Sequence, residues 1–483
     1  MGPPSTIPGR SHDTPKHSVS QLWSELDLPI SALESLNLTG SGLGLPSSFK
    51  IAHLAQTSIS LSALTAALFH SLRNSISVPQ VTVPLQHAAV EFKSERLYVL
   101  DGKPTPSPWG PIGGLHKTSD GYVRIHDSFP NHAKGALALV GCDVDADRKS
   151  LAAAVKDWTA LDLEREAFAN KIVISALRSY SQWDVLPVAR ALPNFPIKIR
   201  QIRPGQPKLS NRLGPGRTRA LEGVRVIELS RVIAAPLAGK TLAAHGADVL
   251  WVTSPNLPDL PTMDRDFARG KRTIHLDLNE APHRETLREL TKGADIFIQG
   301  FRPTSIAARG FGPLTVSELA ENGIIYANMS AYGNEGPWGD KRGFDSLVQT
   351  CSGMNVSEAE HFGEGEAARP TPCQALDHAA GYFLAAGINA ALYKRATIGG
   401  SWEVSVSLAG TMKYLRSLGQ FPGREGFAVE DITHPDQIPE YLETNESGFG
   451  LLKAVRHSAQ IEGAMPFWDI MPKPLGSDRA EWL

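Results

Sequence analysis

Three stretches in the second half of this 483-residue chain carry residue types that could do chemistry. In Ala268-Arg-Gly-Lys-Arg-Thr273, the cluster of Arg269, Lys271 and Arg272 precedes an expected strand. Such a cluster either clamps a phosphate, Arg by its planar fork and Lys as a point charge, or is a solvated basic turn. Gly300-Phe-Arg-Pro303 ends another expected strand, at the carboxyl edge where open α/β sheets bind ligands, so Arg302 reads as an anion ligand or as half of a structural ion pair. Tyr332-Gly-Asn-Glu-Gly-Pro-Trp-Gly339 is rich enough in glycine for backbone to approach a ligand closely, and it equally fits a long turn around a packed Trp338. Downstream, Asp377 in Pro372-Cys-Gln-Ala-Leu-Asp377 opens an apolar helical stretch at 379–393. An aspartate there is an N-cap, or it is a carboxylate that the helix dipole keeps ionised and aims at a cleft, as a nucleophile requires.

These residues need a scaffold. Expected strands at 224–229, 248–252, 273–276, 295–299 and 324–329 alternate with helices at 236–245, 280–291 and 316–321. That alternation predicts an α/β fold with a Rossmann-like parallel sheet and helices on both faces. The first turn, Ser230-Arg-Val-Ile-Ala-Ala-Pro236, lacks Gly-x-Gly-x-x-Gly, which disfavours a nicotinamide or flavin cofactor. The organisation expected is a flexible tail at 1–20, a mixed α/β segment at 21–202, a Pro- and Gly-rich linker at 203–220, the Rossmann-like domain at 221–415 and a C-terminal extension at 416–483. Within 21–202, helices are expected at 60–73, 133–140 and 165–179 and strands at 81–83 and 121–126.

Ala63-Leu-Thr-Ala-Ala-Leu-Phe69 followed by Gln80-Val-Thr-Val-Pro-Leu85 is similar to Gly387-Ile-Asn-Ala-Ala-Leu-Tyr393 followed by Trp402-Glu-Val-Ser-Val-Ser-Leu408. Both read as a helix running into a strand. Counting back from the matched Ala-Ala-Leu triplets, the place of Asp377 is taken by His53 in the first copy.

Lys plus Arg total 48 against 50 Asp plus Glu, a net charge of −2, so no global field draws the chain to nucleic acid or to an anionic membrane. No run approaches the ~18 apolar residues of a membrane span. Cys142, Cys351 and Cys373 are too few for a disulfide framework or a four-cysteine zinc site, so no metal is expected and a reducing, cytoplasmic location fits best.

In this order the segments resemble family III CoA-transferases, the CaiB/BaiF group of formyl-CoA:oxalate and carnitine CoA-transferases and α-methylacyl-CoA racemase. The resemblance rests on Leu221-Glu-Gly-Val-Arg-Val-Ile-Glu-Leu229, Leu242-Ala-Ala-His-Gly-Ala-Asp-Val249, Arg269-Gly-Lys-Arg272, Ala294-Asp-Ile296 through Phe301-Arg-Pro303, Tyr332-Gly333 with Gly336-Pro-Trp338, and Gly343-Phe-Asp345. It covers about 221–415, while 63–201 resembles the family's second half with its small α+β domain, placed ahead of the first. The chain thus resembles a permuted or truncated tandem. The resemblance implies that Asp377 attacks an acyl-CoA thioester to give an aspartyl anhydride, then an aspartyl-CoA thioester from which a carboxylic acid takes the CoA. It also implies that the turn Val232, Ile233, Ala234 and Ala235 faces the adenine, and that Arg269, Lys271, Arg302 and Arg309 meet CoA phosphates. CoA thioester is then a substrate, with no permanently bound cofactor.

The sequence departs from the family pattern at Phe344, where racemase members carry a proton-transferring His, and at Thr253-Ser-Pro255, where the acidic residue after the second strand is missing. No glycine-rich loop of the oxalate-type kind is evident over the aspartate. CoA transfer between an acyl-CoA donor and a carboxylic acid is the expected activity, with an acyl-CoA racemase or a catalytically silent CoA-binding protein as alternatives. The expected partners are these small molecules and either a second copy in an interlocked homodimer or none, the chain being a pseudo-dimeric monomer.

Overall fold

The computed structural model describes residues 5–483. Its central feature is the helix Ala375–Thr397, in which every residue from Ala375 through Leu392 is buried. A helix that is apolar on all sides belongs inside a core. Its small residues let neighbours come close. A Cβ on Gly381 would lie 2.6 Å from the carbonyl oxygen of Ala234, and one on Gly387 would lie 2.5 Å from Val404 Cγ1. One neighbour is helix Ala234–Ala244, and another is the 24-residue helix Ile51–Asn74, where Asn389 Nδ2 donates to the Ser62 carbonyl at 3.2 Å. By length and hydropathy Ile51–Asn74 could cross a membrane, but its apolar window is entirely buried in this fold. The two similar helices found in the sequence are therefore packed on each other. Their N-terminal turns hold His53 and Asp377.

The large sheet has seven strands in the order Lys271–His275, Asp248–Thr253, Arg225–Leu229, Ile296–Gln299, Ile325–Ser330, Ser401–Ser407 and Ile197–Arg203. All neighbours are parallel except the last pair, which is antiparallel. Chain order reverses between Arg225–Leu229 and Ile296–Gln299, so a crevice opens beyond their carboxyl ends. The Rossmann-like α/β expectation agrees with this sheet, although the segment ahead of the linker supplies its edge strand.

The segment 21–202 divides. Val19 to Leu97 contributes to the same core as Leu221 and the Asp377 helix, whereas Ile112 to Ala176 forms a separate core. That second core covers the antiparallel strands Gly114–Lys117, Tyr122–Ile125 and Ile174–Ala176. The helix expected at 165–179 is instead helix Ala160–Ala169 followed by strand Ile174–Ala176. Lys171 adopts φ 61°, which breaks the helix, and the apolar Val173 and Ile174 enter the sheet. Of the tail expected at 1–20, residues 1–4 lie outside the described residues, and the rest is ordered. Thr14 caps helix Pro15–Glu25 by accepting from the His17 amide, and Arg10 is buried with Nη1 2.9 Å from Ser417 Oγ. The C-terminal extension also packs on the main core, through Val455, Ile461 and Trp468.

Because Gly381 lies against Ala234, Gly381→Ala is expected to destabilise the fold by about 1–3 kcal/mol, the usual range for overpacking a filled core. Urea unfolding of the two proteins measures it.

Candidate functional site

Helix Ala375–Thr397 begins where the Asp345 side chain waits for it. Asp345 Oδ2 accepts from the amides of Leu376 at 2.8 Å and Asp377 at 3.0 Å, two donors that would otherwise have no partner at a helix start. Gln349 Nε2 donates to Asp345 Oδ1, and Asn355 Nδ2 fixes Gln349 by donating to its Oε1 at 3.0 Å. Asp345 itself opens helix Asp345–Cys351, so the Gly343-Phe-Asp345 motif sets the position of Asp377. Asp377 is therefore not the cap; it is capped.

Asp377 is 6% exposed and sits at the wall of a narrow recess of 20 Å³, with room for about one water molecule. Burial raises its pKa well above the ordinary carboxylate range, and the neighbouring charges of Asp345 and Glu95 add to the rise. Burial likewise pushes Asp345 up to about 6, against the hydrogen bonds it accepts. Burial alone would raise Glu95 as well, but His378, whose Nε2 is 2.9 Å from Glu95 Oε2, and Arg96 hold it below its usual value.

The recess draws its walls from both ends of the chain. Glu95, Arg96 and Trp109 come from ahead of the linker, and Ile233, Phe344 and Asp377 from behind it. His126 lies there too, its ring stacked on Phe344 at 4.0 Å between centroids and 12° between planes. Burial lowers His126 to about 3, so its imidazole is neutral. A glycine-rich strap lies alongside: the Asp127 carboxylate accepts from the amides of Gly110 at 3.2 Å, Ile112 at 2.9 Å and Gly113 at 2.6 Å. A Cβ on Gly110 or Gly113 would collide with that carboxylate, so the glycines are required there. Pro108 and Trp109 of this strap form part of the recess wall.

Val232 and Phe344 also line a larger cleft of 450 Å³ over the carboxyl ends of the sheet. Val232 has φ 76°, an outlier for a β-branched residue and the kind of strain that clusters at functional sites. Arg231, Arg302, Arg309 and Arg342 line this cleft, and none of them has a carboxylate partner among the described residues. Arg309 Nη2 donates to Asn279 Oδ1 at 3.0 Å, and Arg342 Nη1 to the Lys171 carbonyl at 2.7 Å. Arg302 and Arg309 thus stand together where an anionic ligand could lie.

Arg269 and Lys271 do not reach the cleft, which corrects their assignment to CoA phosphates. Arg269 is 1% exposed, pairs with Asp266 at 2.7 Å and lies over Trp468. Lys271, equally buried, pairs with Glu228 at 2.8 Å and donates to the Pro236 carbonyl at 2.7 Å. Charges so deep in a fold must be paired, and these are. Of the predicted turn, Val232 lines cleft and recess and Ile233 the recess alone. Ala234 and Ala235 do not line the cleft; they begin helix Ala234–Ala244, where Ala235 closes on Gly300 and Ala234 on Gly381.

The capping role of Asp345, the Glu95, Arg96 and His126 contributions and the strap were not read from the sequence. The spacing Trp109-Gly-Pro-Ile-Gly-Gly114 was the available signal for the strap. Nothing in the sequence announces that His126, just beyond strand Tyr122–Ile125, occupies the face of Phe344.

Residues 221–420 match the sequence model described as CoA-transferase family III. The chain is 27% identical over 411 residues to an acyl-CoA transferase of Gibberella moniliformis, covering 77% of this chain and 71% of that protein. It is 33% identical over 207 residues to an acetyl-coenzyme A transferase of Hypoxylon pulicicidum, covering 42% of this chain and 35% of that one. The crystal structure of a hypothetical protein from Mycobacterium tuberculosis matches at 30% identity and a TM-score of 0.38, over 42% of this chain and 58% of that one. The chain therefore spans less than two thirds of the latter two proteins.

Lys271→Met should cost about 3–5 kcal/mol of stability, because it leaves Glu228 buried without its partner. Arg302→Met should change stability by only about 0.5 kcal/mol. It should weaken CoA binding about 10-fold, as loss of one charge-assisted hydrogen bond does. Denaturant unfolding and titration calorimetry with CoA separate the two.

Proposed function

We propose, on the premise that the chain belongs to CoA-transferase family III through residues 221–420, that it is a CoA-transferase moving CoA from an acyl-CoA donor to a carboxylic acid through Asp377. The observation that carries this reading is the shared wall at Val232 and Phe344: an anionic thioester held along the arginine-lined cleft would present its reacting end to the recess of Asp377.

In the proposed sequence the Asp377 carboxylate attacks the thioester carbonyl, the C–S bond breaks and CoA thiolate departs, leaving an aspartyl anhydride. The thiolate then attacks the Asp377 carbonyl of the anhydride and releases the donor's acid. The acceptor carboxylate repeats both steps in the opposite sense and leaves as the new thioester, and Asp377 is regenerated. No net proton is required. Activated acyl intermediates must be kept from water, and the small recess beneath the Trp109 strap fits that need. Only ionised Asp377 is a nucleophile. Since its pKa is raised, the acylation rate should increase as pH rises through that value and fall below it.

The recess is assembled from both halves of one chain, which supports the pseudo-dimeric monomer over the interlocked homodimer as the unit that completes a site. A second reading, epimerisation of an acyl-CoA, is favoured by one observation. Phe344 cannot move a proton, but the neutral imidazole of His126 is stacked on it, in the recess with Asp377.

Intact-mass analysis with a panel of short, dicarboxylic and branched acyl-CoAs, quenched with hydroxylamine, tests the first reading. A hydroxamate at Asp377 is expected in the wild type and absent in Asp377→Ala; its absence from both, with CoA bound, would reject covalent transfer. The same panel in deuterated water tests the second. Wash-in at the α-carbon that disappears in His126→Phe would favour epimerisation, and transfer without wash-in would discard it.

A further inference from the structure

The recess poses a charge problem for an acid whose carboxylate must reach its opening. Asp377, Asp345 and Glu95 all border it, and an acceptor carboxylate adds another negative group to a space where water screens little. Arg96 is the one cationic side chain on the wall of the recess among the described residues. Its side chain is 31% exposed, in contrast to the 1% of Glu95 beside it.

Arg96 is held from behind. Nε lies 3.1 Å from Glu95 Oε1, while the other oxygen of Glu95 is held by His378. Nη1 is 3.3 Å from the Pro372 carbonyl, and Nη2 donates to the side-chain oxygen of Gln374, three residues ahead of Asp377. The edge of the guanidinium that faces the Asp377 helix is thus occupied by neutral acceptors, which a carboxylate displaces to form a stronger, two-pronged contact. Arg96 does not line the large cleft, so it is not placed for the phosphates of the carrier.

The repeat shows that neither Asp377 nor Arg96 is duplicated. Leu85 and Leu408 are matched positions and each opens a helix. Counting on from them, the places of Glu95 and Arg96 are taken by Leu418 and Gly419 in the other copy, just as the place of Asp377 is taken by His53. Asp377 belongs to the second copy and Arg96 to the first, and the fold joins them through Gln374.

We propose that Arg96 anchors the carboxylate of the acceptor acid beside Asp377, and that the same guanidinium holds the donor's acid until it leaves. This rests on the transferase reading above. An acid is gripped as an anion, and once its carboxylate has become a thioester the ion pair no longer exists, so the product is let go. Arg96 is then the residue that distinguishes a free acid from its CoA ester.

The test uses the full chain, wild type, Arg96→Met and Arg96→Lys. Titration calorimetry with acetate, succinate and phenylacetate is paired with titration by CoA, and thermal unfolding checks that each variant is folded. At least one of the three acids is expected to bind the wild type, at least 10-fold more weakly to Arg96→Met and with intermediate affinity to Arg96→Lys, while CoA affinity changes less than 2-fold. In turnover, the acceptor KM should rise in parallel, and Arg96→Lys should recover part of that rise. Equal acid affinity in wild type and a folded Arg96→Met, or no binding of any of the acids to the wild type, would overturn the proposal. Arg96-dependent acid binding without any adduct at Asp377 would support the anchor and reject the covalent reading instead.

Discussion

Two hydrogen bonds from the start of one buried helix to a single carboxylate fix the geometry on which the site depends. By accepting the amides of Leu376 and Asp377, Asp345 decides where helix Ala375–Thr397 begins and which wall its first turn occupies. A helix buried along its length needs its free amides satisfied, and here the satisfying group is itself a buried acid. Burial raises the pKa values of both carboxyl groups, and the charge of Asp345 adds to the rise at Asp377. The cap that orders the helix thus also adds to the basicity that burial gives Asp377.

The rest of the molecule holds this helix in place. Helix Ile51–Asn74 packs along it, helix Ala234–Ala244 meets it at Gly381, and the parallel sheet presents its carboxyl edge to the same region. Buried ion pairs tie helix Ala234–Ala244 to its surroundings: Lys271, paired with Glu228 of the sheet, donates to the Pro236 carbonyl, and Asp266 joins Lys240 to Arg269, which donates to the Val455 carbonyl of the C-terminal extension. Among the described residues the arginines of the cleft have no acidic partner, whereas Lys341 on the same wall pairs with Glu164.

The parallel sheet and its boundaries were legible in the sequence because a strand buried on both faces and an amphipathic helix have distinct periods. The place of Asp377 at the head of an apolar helix was legible for the same reason. The basic cluster misled, since composition does not tell a cation at a cleft from one sealed against Glu228. Whether Lys271 faces ligand or core depends on tertiary packing across strands far apart in sequence. The site residues between 95 and 127 were opaque for a related reason, although the strand Tyr122–Ile125 among them was legible. Arg96, Trp109 and His126 matter only because the fold carries them some 220 to 280 positions along the chain to Phe344 and Asp377, and no local period encodes that meeting. The N-terminal region read as a tail because its Pro and Ser content hides a capped helix that stays in place through contacts such as Arg10 with Ser417.

Covalent participation of Asp377 is the central claim, and oxygen tracing tests it most directly. With an ¹⁸O-labelled acceptor acid and a single round of transfer, a relay through an aspartyl anhydride moves one labelled oxygen from the acid into the Asp377 side chain, so the peptide containing Asp377 gains one ¹⁸O while the new thioester keeps the other. Transfer that leaves this peptide unlabelled would mean that the acceptor reacts with the donor thioester without bonding to the enzyme, and would contradict the role assigned to Asp377.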